Sequence, residues 1–133
     1  MLYIVTGPPC VGKSTWVKER AQPGDIVVDL DRIALAITAE STPHHEYPKH
    51  IRYAAVMLRK QAVAQAVHYS KKGNAYVIHA KPNVKARAIY KKNLAQFIEL
   101  MAPLDVLLDR AKAERPPWVS GMIKSWWLDD DQD

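Results

Sequence analysis

The chain has 133 residues, 48% hydrophobic and 25% charged, with 19 Lys and Arg against 14 Asp and Glu for a formal net charge of +5. That length suits one domain with a single core, and the composition excludes wholesale disorder. One cysteine, Cys10, excludes an internal disulfide framework or cysteine-rich zinc site, and no apolar run approaches the ~18 residues of a membrane span.

Residues 2–6 are a short β-rich run ending at Gly7 and predict a buried strand. A loop and a helix over 13–21 follow, stopped by Pro23-Gly24. Residues 26–28 predict a second strand, continued by Asp29-Leu30-Asp31, with a short helix over 32–37. Residues 41–49 carry two prolines and two histidines and read as a surface loop. Apolar Ile51, Ala55, Leu58, Ala62 and Ala66 recur at helical spacing, so 51–70 predicts a helix closed by Lys71-Lys72-Gly73-Asn74. A third strand over 75–79, a helix from Asn83 to about residue 95, and a fourth strand over 97–100 come next. Helices over 103–113 and 118–127, separated by Pro116-Pro117, complete the chain. Strands alternating with helices imply an α/β fold with a parallel sheet covered on both faces. The expected domain is 1–128, followed by an acidic tail, 129–133.

The chemistry concentrates in the first loop. Gly7-Pro8-Pro9-Cys10-Val11-Gly12-Lys13-Ser14, followed by Thr15, matches G-x-x-x-x-G-K-[ST] between a strand and a helix. Gly7 and Gly12 let the backbone wrap a phosphate, and the following helix adds its positive dipole end. Residues Gly7, Pro8, Pro9, Cys10, Val11, Gly12, Lys13, Ser14 and Thr15 are thus the expected nucleotide-binding element. Lys13 reaches the β- and γ-phosphates, and the Ser14 hydroxyl ligates Mg²⁺. Lys13 and the helix amino end offer a route to a lowered Cys10 thiol pKa, but Cys10 is read first as a small residue that merely fits the loop.

Parallel strands deliver their carboxyl ends to one sheet edge, which brings Asp29 and Asp31 to the phosphate loop. Two apart in extended backbone, they point the same way, with Leu30 opposite. One accepts a proton from an acceptor hydroxyl or holds Mg²⁺ through water; the alternative is a helix cap. We assign Asp31 to the acceptor and catalysis, and Asp29 to the metal. Arg110 and Arg115, leading into Pro116-Pro117, offer planar forks for the donor phosphates. Arg110 is assigned to nucleotide binding and Arg115 to catalysis, the alternative being a solvated helix end with Arg110 paired to Asp109.

The charge is uneven. Between residues 41 and 98 stand eleven basic residues and one acid, Glu46, while Asp129, Asp130, Asp131 and Asp133 crowd the end. Lys81, Lys85, Arg87, Lys91 and Lys92 ride one helix, and Arg52, Arg59 and Lys60 another. Arg52 and Arg59, seven apart, share a face. Such a cluster favours an anionic partner, and Arg87 is chosen as acceptor contact because it follows the third strand. His44-His45 are read as polar surface rather than metal ligands. Trp118, Met122 and Trp126, with Trp127 beside them, are read as core packing of the last helix rather than base stacking.

The chain resembles the small P-loop kinases, most closely the kinase domain of bacteriophage polynucleotide 5′-hydroxyl kinase and its relatives. The resemblance rests on residues 7–16, Asp31 after the second strand, Val77-Ile78, the 83–87 segment, and Leu107-Leu108-Asp109-Arg110 running on to Arg115. It implies a single-domain P-loop NTPase fold of the nucleotide-kinase type, sheet order 2-3-1-4, with ATP and Mg²⁺ as donor. It also implies that Asp31 activates a hydroxyl and that Arg115 stabilises the moving phosphoryl group. Two positions depart from the family: Ala34 stands where an arginine contacts the acceptor phosphate, and His79 ends the third strand in place of an acid. The Asp-x-Asp pattern is also similar to that of shikimate- and gluconate-type kinases.

The expected function is an ATP-dependent phosphotransferase acting on a hydroxyl of a nucleotide or polynucleotide in the cytoplasm, with no membrane partner. The rivals are a small-metabolite kinase and a nucleotide-binding switch with little turnover.

Overall fold

The computed structural model describes residues 1–39, 47–115 and 117–128, with side chains up to residue 124. The histidine pair at 44–45, the tail at 129–133 and the side chains of Trp126 and Trp127 lie outside this description. Strands β1 (Leu2–Thr6), β2 (Ile26–Val28), β3 (Ala75–Ile78) and β4 (Gln96–Glu99) form a parallel sheet in the order β2-β3-β1-β4. Helices α1 (Lys13–Arg20), α2 (Leu30–Ile37), α3 (Lys49–Tyr69), α4 (Val84–Lys92), α5 (Leu104–Glu114) and α6 (Trp118–Leu128) connect and flank it. The fold class and strand order are as expected from the sequence.

Period-two alternation sorts each strand between two cores. Leu2, Ile4, Ala75, Val77 and Val28 face α3, where Ala62, Val63, Ala66 and Val67 pack, together with Ile33 of α2 and Tyr90 of α4. Tyr3, Val5, Tyr76 and Ile78 face the opposite way, against Trp16 and Val17 of α1. In register, Leu2 sits beside Ala75 and Ile4 beside Val77 and Phe97, so the α3 face of β1 is dry. Alanines at the buried positions of α3, Ala55 and Ala66, let this long helix lie close to the sheet. A third cluster, Leu107 and Ala111 of α5 with Val119 and Ile123 of α6, packs against Cys10 and Val11 of the phosphate loop.

Two boundaries moved for identifiable reasons. Residues 29–31 do not extend β2: Asp29 is the N-cap of α2, its Oδ1 accepting from the Asp31 amide at 3.1 Å, so the helix begins at Leu30. The argument that Asp29 and Asp31 share a direction in extended backbone therefore fails. Helix α4 stops at Lys92 rather than near residue 95, because Leu94 takes φ +59° and the Ala95 amide returns to the Tyr90 carbonyl. Among the described residues no helix is long and apolar enough to cross a membrane.

Candidate nucleotide site

The loop between β1 and α1 has the backbone its glycines permit. Gly7 adopts φ +144°, and a Cβ there would collide with the Leu100 carbonyl oxygen, so the loop lies tight against the chain leaving β4. Gly12 caps α1 at φ +99°, where a Cβ would project into open space. That contrast separates a glycine needed for close packing from one that keeps a cradle empty. Cys10 is also left-handed, at φ +67°.

Lys13 Nζ donates to the Gly7 and Pro8 carbonyls at 2.7 and 2.8 Å, which stretches the side chain across the loop. Burial lowers its pKa to about 8; the carboxylates of Asp29 and Asp31 pull it upward, and Arg115 pushes it further down. Ser14 Oγ donates to Asp29 Oδ2 at 3.1 Å. Asp29 is buried, 7% exposed, and its carboxyl pKa is raised, first by burial and then by the Asp31 charge, against the hydrogen bonds from Ser14 and the Asp31 amide. Among the described residues no three His, Cys, Asp or Glu side chains cluster as a metal cage. A hydroxyl and a carboxylate at one edge suit Mg²⁺, which keeps several waters and takes phosphate oxygens as further ligands.

These groups line one cleft of about 1270 Å³. It holds the loop from Pro9 to Thr15, with Asp29, Asp31, Arg110 and Arg115, so most of the residues expected from the sequence converge. Arg110 donates to the Cys10 carbonyl at 3.0 Å and not to Asp109, which ties α5 to the phosphate loop. Arg115, at the end of α5, lies 3.9 Å from the Glu114 carboxylate. The neighbouring cations do not lower the Cys10 thiol pKa. It is raised, because burial outweighs the opposing charges of Arg115, Lys13 and Arg110.

Arg87 is not brought to this cleft. It lines a separate cavity of about 160 Å³ beside Thr6 and Glu99, donates to the Pro82 carbonyl at 3.2 Å and lies over the Phe97 ring. The cations that do line the cleft include Arg52 and Arg59 of α3, next to Tyr47 and Ala34. Their seven-residue spacing was the available signal for this cleft, whereas proximity to a strand end pointed to Arg87 of α4. Trp118 and Met122 are corrected too. They are 45% and 39% exposed and line the cleft, while Val119 and Ile123 carry the packing of α6. His79 also lines the cleft and is buried, its Nδ1 2.9 Å from the Tyr90 hydroxyl.

The fold and this loop define a P-loop domain, a type that generally binds nucleotide with Mg²⁺. The family described as AAA domain (AAA_33) matches residues 2–114, and the chain belongs to it. Among solved structures, a Chloroflexus aurantiacus protein provisionally named a kinase matches at a TM-score of 0.64 and 20% identity, over 92% of this chain and 73% of that one. The tunicamycin resistance protein of Deinococcus radiodurans matches at a TM-score of 0.57 and 19% identity, over 96% of this chain and 78% of that one. At these identities the likeness is one of fold. No curated protein matches the chain.

Proposed function

We propose that the protein is an ATP- and Mg²⁺-dependent phosphotransferase whose acceptor is a hydroxyl of a nucleotide or polynucleotide. The observation that carries this reading is the convergence of Lys13, the Ser14–Asp29 pair and Asp31 at one sheet edge, inside a cleft with room for two substrates.

The loop amides and Lys13 hold the β- and γ-phosphates, and the amino end of α1 adds its partial positive charge. Ser14 and Asp29 are the residues that would hold Mg²⁺, which when bound would neutralise charge on the phosphate oxygens. Asp31, in the first turn of α2, positions the acceptor hydroxyl and takes its proton as the oxygen attacks the γ-phosphorus. The new O–P bond forms as the β,γ-bridging bond breaks, and ADP carries off the departing electron pair. Arg110 and Arg115, joined to the loop through α5, offset charge on the transferring group.

On the acceptor side, Arg52 and Arg59 take the place of the arginine that Ala34 replaces. Ala34 is buried at the cleft wall, and both α3 arginines line the cleft with no ion-pair partner among the described residues. Two forked cations suit an acceptor that carries its own phosphate. The small-metabolite reading draws on Ala34 and on the Asp29-Leu30-Asp31 pattern.

The test is Asp31→Asn with MgATP and a 5′-hydroxyl oligonucleotide. The expected result is ATP affinity close to wild type with transfer reduced by a factor on the order of 10²–10⁴. Wild-type transfer in that variant removes Asp31 from the chemistry.

A further inference from the structure

The cleft has two unlike ends. Asp31, Arg52 and Arg59 come from α2 and α3, which cover one face of the sheet. Thr15 and Trp16 of α1 belong to the opposite face, and Trp118 and Met122 of α6 join them in lining the cleft. The first end carries two arginines, and at the second α6 sets an aromatic and an apolar side chain next to Arg110, Glu114 and Arg115 of α5.

The face of α6 toward the cleft is unusual for a packed helix. Trp118 and Met122 are one turn apart and about as exposed as surface polar residues, while Val119 and Ile123 on the other side are buried. Between them in the helix stands Gly121, where a Cβ would meet nothing within 4 Å, so no side chain interrupts the shelf. Among the described residues Trp118 has no ring or hydrogen-bond partner. The shelf is also anchored: Val119 and Ile123, with Leu107 and Ala111, pack onto Cys10 and Val11. It therefore sits at the rim of the phosphate loop itself.

A triphosphate held by that loop must leave its base outside it. We propose that Trp118, with Met122 beside it, is the stacking platform for the base of the donor nucleotide, and that it favours a purine. Base–aromatic stacking is tolerant of base identity, but a bicyclic base covers more of an indole than a pyrimidine does. The thioether of Met122 is polarisable and adapts to the edge of such a ring. This inference rests on the nucleotide-binding reading and adds to it the element that distinguishes a nucleoside triphosphate from bare triphosphate.

The experiment compares three ligands, MgATP, MgCTP and magnesium tripolyphosphate, by calorimetric titration of wild type, Trp118→Phe and Trp118→Ala, with circular dichroism to confirm folding. In wild type ATP should bind more tightly than CTP and tripolyphosphate. Trp118→Ala should weaken ATP on the order of tenfold, leave tripolyphosphate essentially unchanged, and erase the preference over CTP. Trp118→Phe should recover most of the loss. If ATP keeps its full advantage over tripolyphosphate in folded Trp118→Ala, the platform is refuted while nucleotide binding stands. If wild type binds neither ATP nor tripolyphosphate, the nucleotide reading itself fails and the platform with it.

Discussion

The Ser14 hydroxyl donates to the Asp29 carboxylate at 3.1 Å, linking the first turn of α1 to the end of β2. The same carboxylate caps α2 through its other oxygen. One buried side chain thus ties the phosphate loop to the helix that carries Asp31. The proposed metal and acceptor sites share this tie and should move together.

Asp29→Asn and Asp29→Ala should separate these duties. An amide keeps the capping acceptor but loses the charge. Because burial raises the folded-state pKa of Asp29 above its unfolded value, ionisation carries a cost that is present above the folded pKa and absent below the unfolded one. Asp29→Asn should therefore match or exceed wild-type melting temperature at pH 7, while the Mg²⁺ concentration for half-maximal ATP binding rises at least about tenfold. Asp29→Ala should also lose the cap, at about 1 kcal/mol. A lower melting temperature for Asp29→Asn than for Asp29→Ala would contradict this division.

Lys13 gives a pH signature. Its pKa of about 8 in the free protein lies below the ordinary lysine value, and triphosphate must raise it again. Above pH 8 nucleotide binding should take up a proton, so affinity should fall by up to about tenfold per pH unit until the pKa of the bound form is reached. Calorimetry at pH 9 in buffers of different ionisation enthalpy reads the uptake directly. Affinity independent of pH between 7 and 9, with no proton exchanged, would show that Lys13 is not depressed.

The two loop glycines should fail in different ways. Gly7→Ala adds left-handed strain and a collision with the Leu100 backbone, and should cost stability of roughly 2–4 kcal/mol. Gly12→Ala adds strain alone to the fold, roughly 1–2 kcal/mol, but places a methyl group in the phosphate cradle. It should remain folded and lose ATP binding. Equal destabilisation by the two, measured by chemical denaturation, would mean the cradle is not open at Gly12.

The sheet order followed the resemblance, and the strand–loop–helix context of residues 7–15 was legible because glycine spacing and a fixed Lys-Ser pair leave few other arrangements. The cleft walls were harder to read. Whether a cation on a helix faces a site depends on how the helix lies on the sheet, and buried Ala55 and Ala66 turn α3 so that Arg52 and Arg59 line the cleft. Helix α4 instead directs Arg87 toward Phe97. For α6 the apolar pattern was correctly read as amphipathic but assigned to the wrong stripe, since 118/122 and 119/123 differ by only one residue. For Cys10 the sequence shows neighbouring cations but not burial, and burial wins.

Arg52 and Arg59 should act on the acceptor and leave the donor alone. Arg52→Ala and Arg59→Ala should each raise the KM for a phosphate-bearing acceptor by roughly 5- to 50-fold, with ATP affinity unchanged. The double variant should flatten the salt dependence of acceptor binding, as lost phosphate contacts release fewer counterions. Arg87→Ala should do neither. Loss of acceptor affinity in Arg87→Ala alone would return the acceptor to the other side of β3.

The most direct measurement is transfer of labelled γ-phosphate from MgATP to a panel of 5′-hydroxyl DNA, 5′-hydroxyl RNA, nucleosides, nucleotides and small polyols, with Lys13→Ala as control. The expected result is labelled product on a nucleotide or polynucleotide acceptor, absent in Lys13→Ala and suppressed by salt. Product on polyols alone would contradict the acceptor class. No labelled product from any acceptor, by a protein shown to bind MgATP, would contradict phosphotransfer itself.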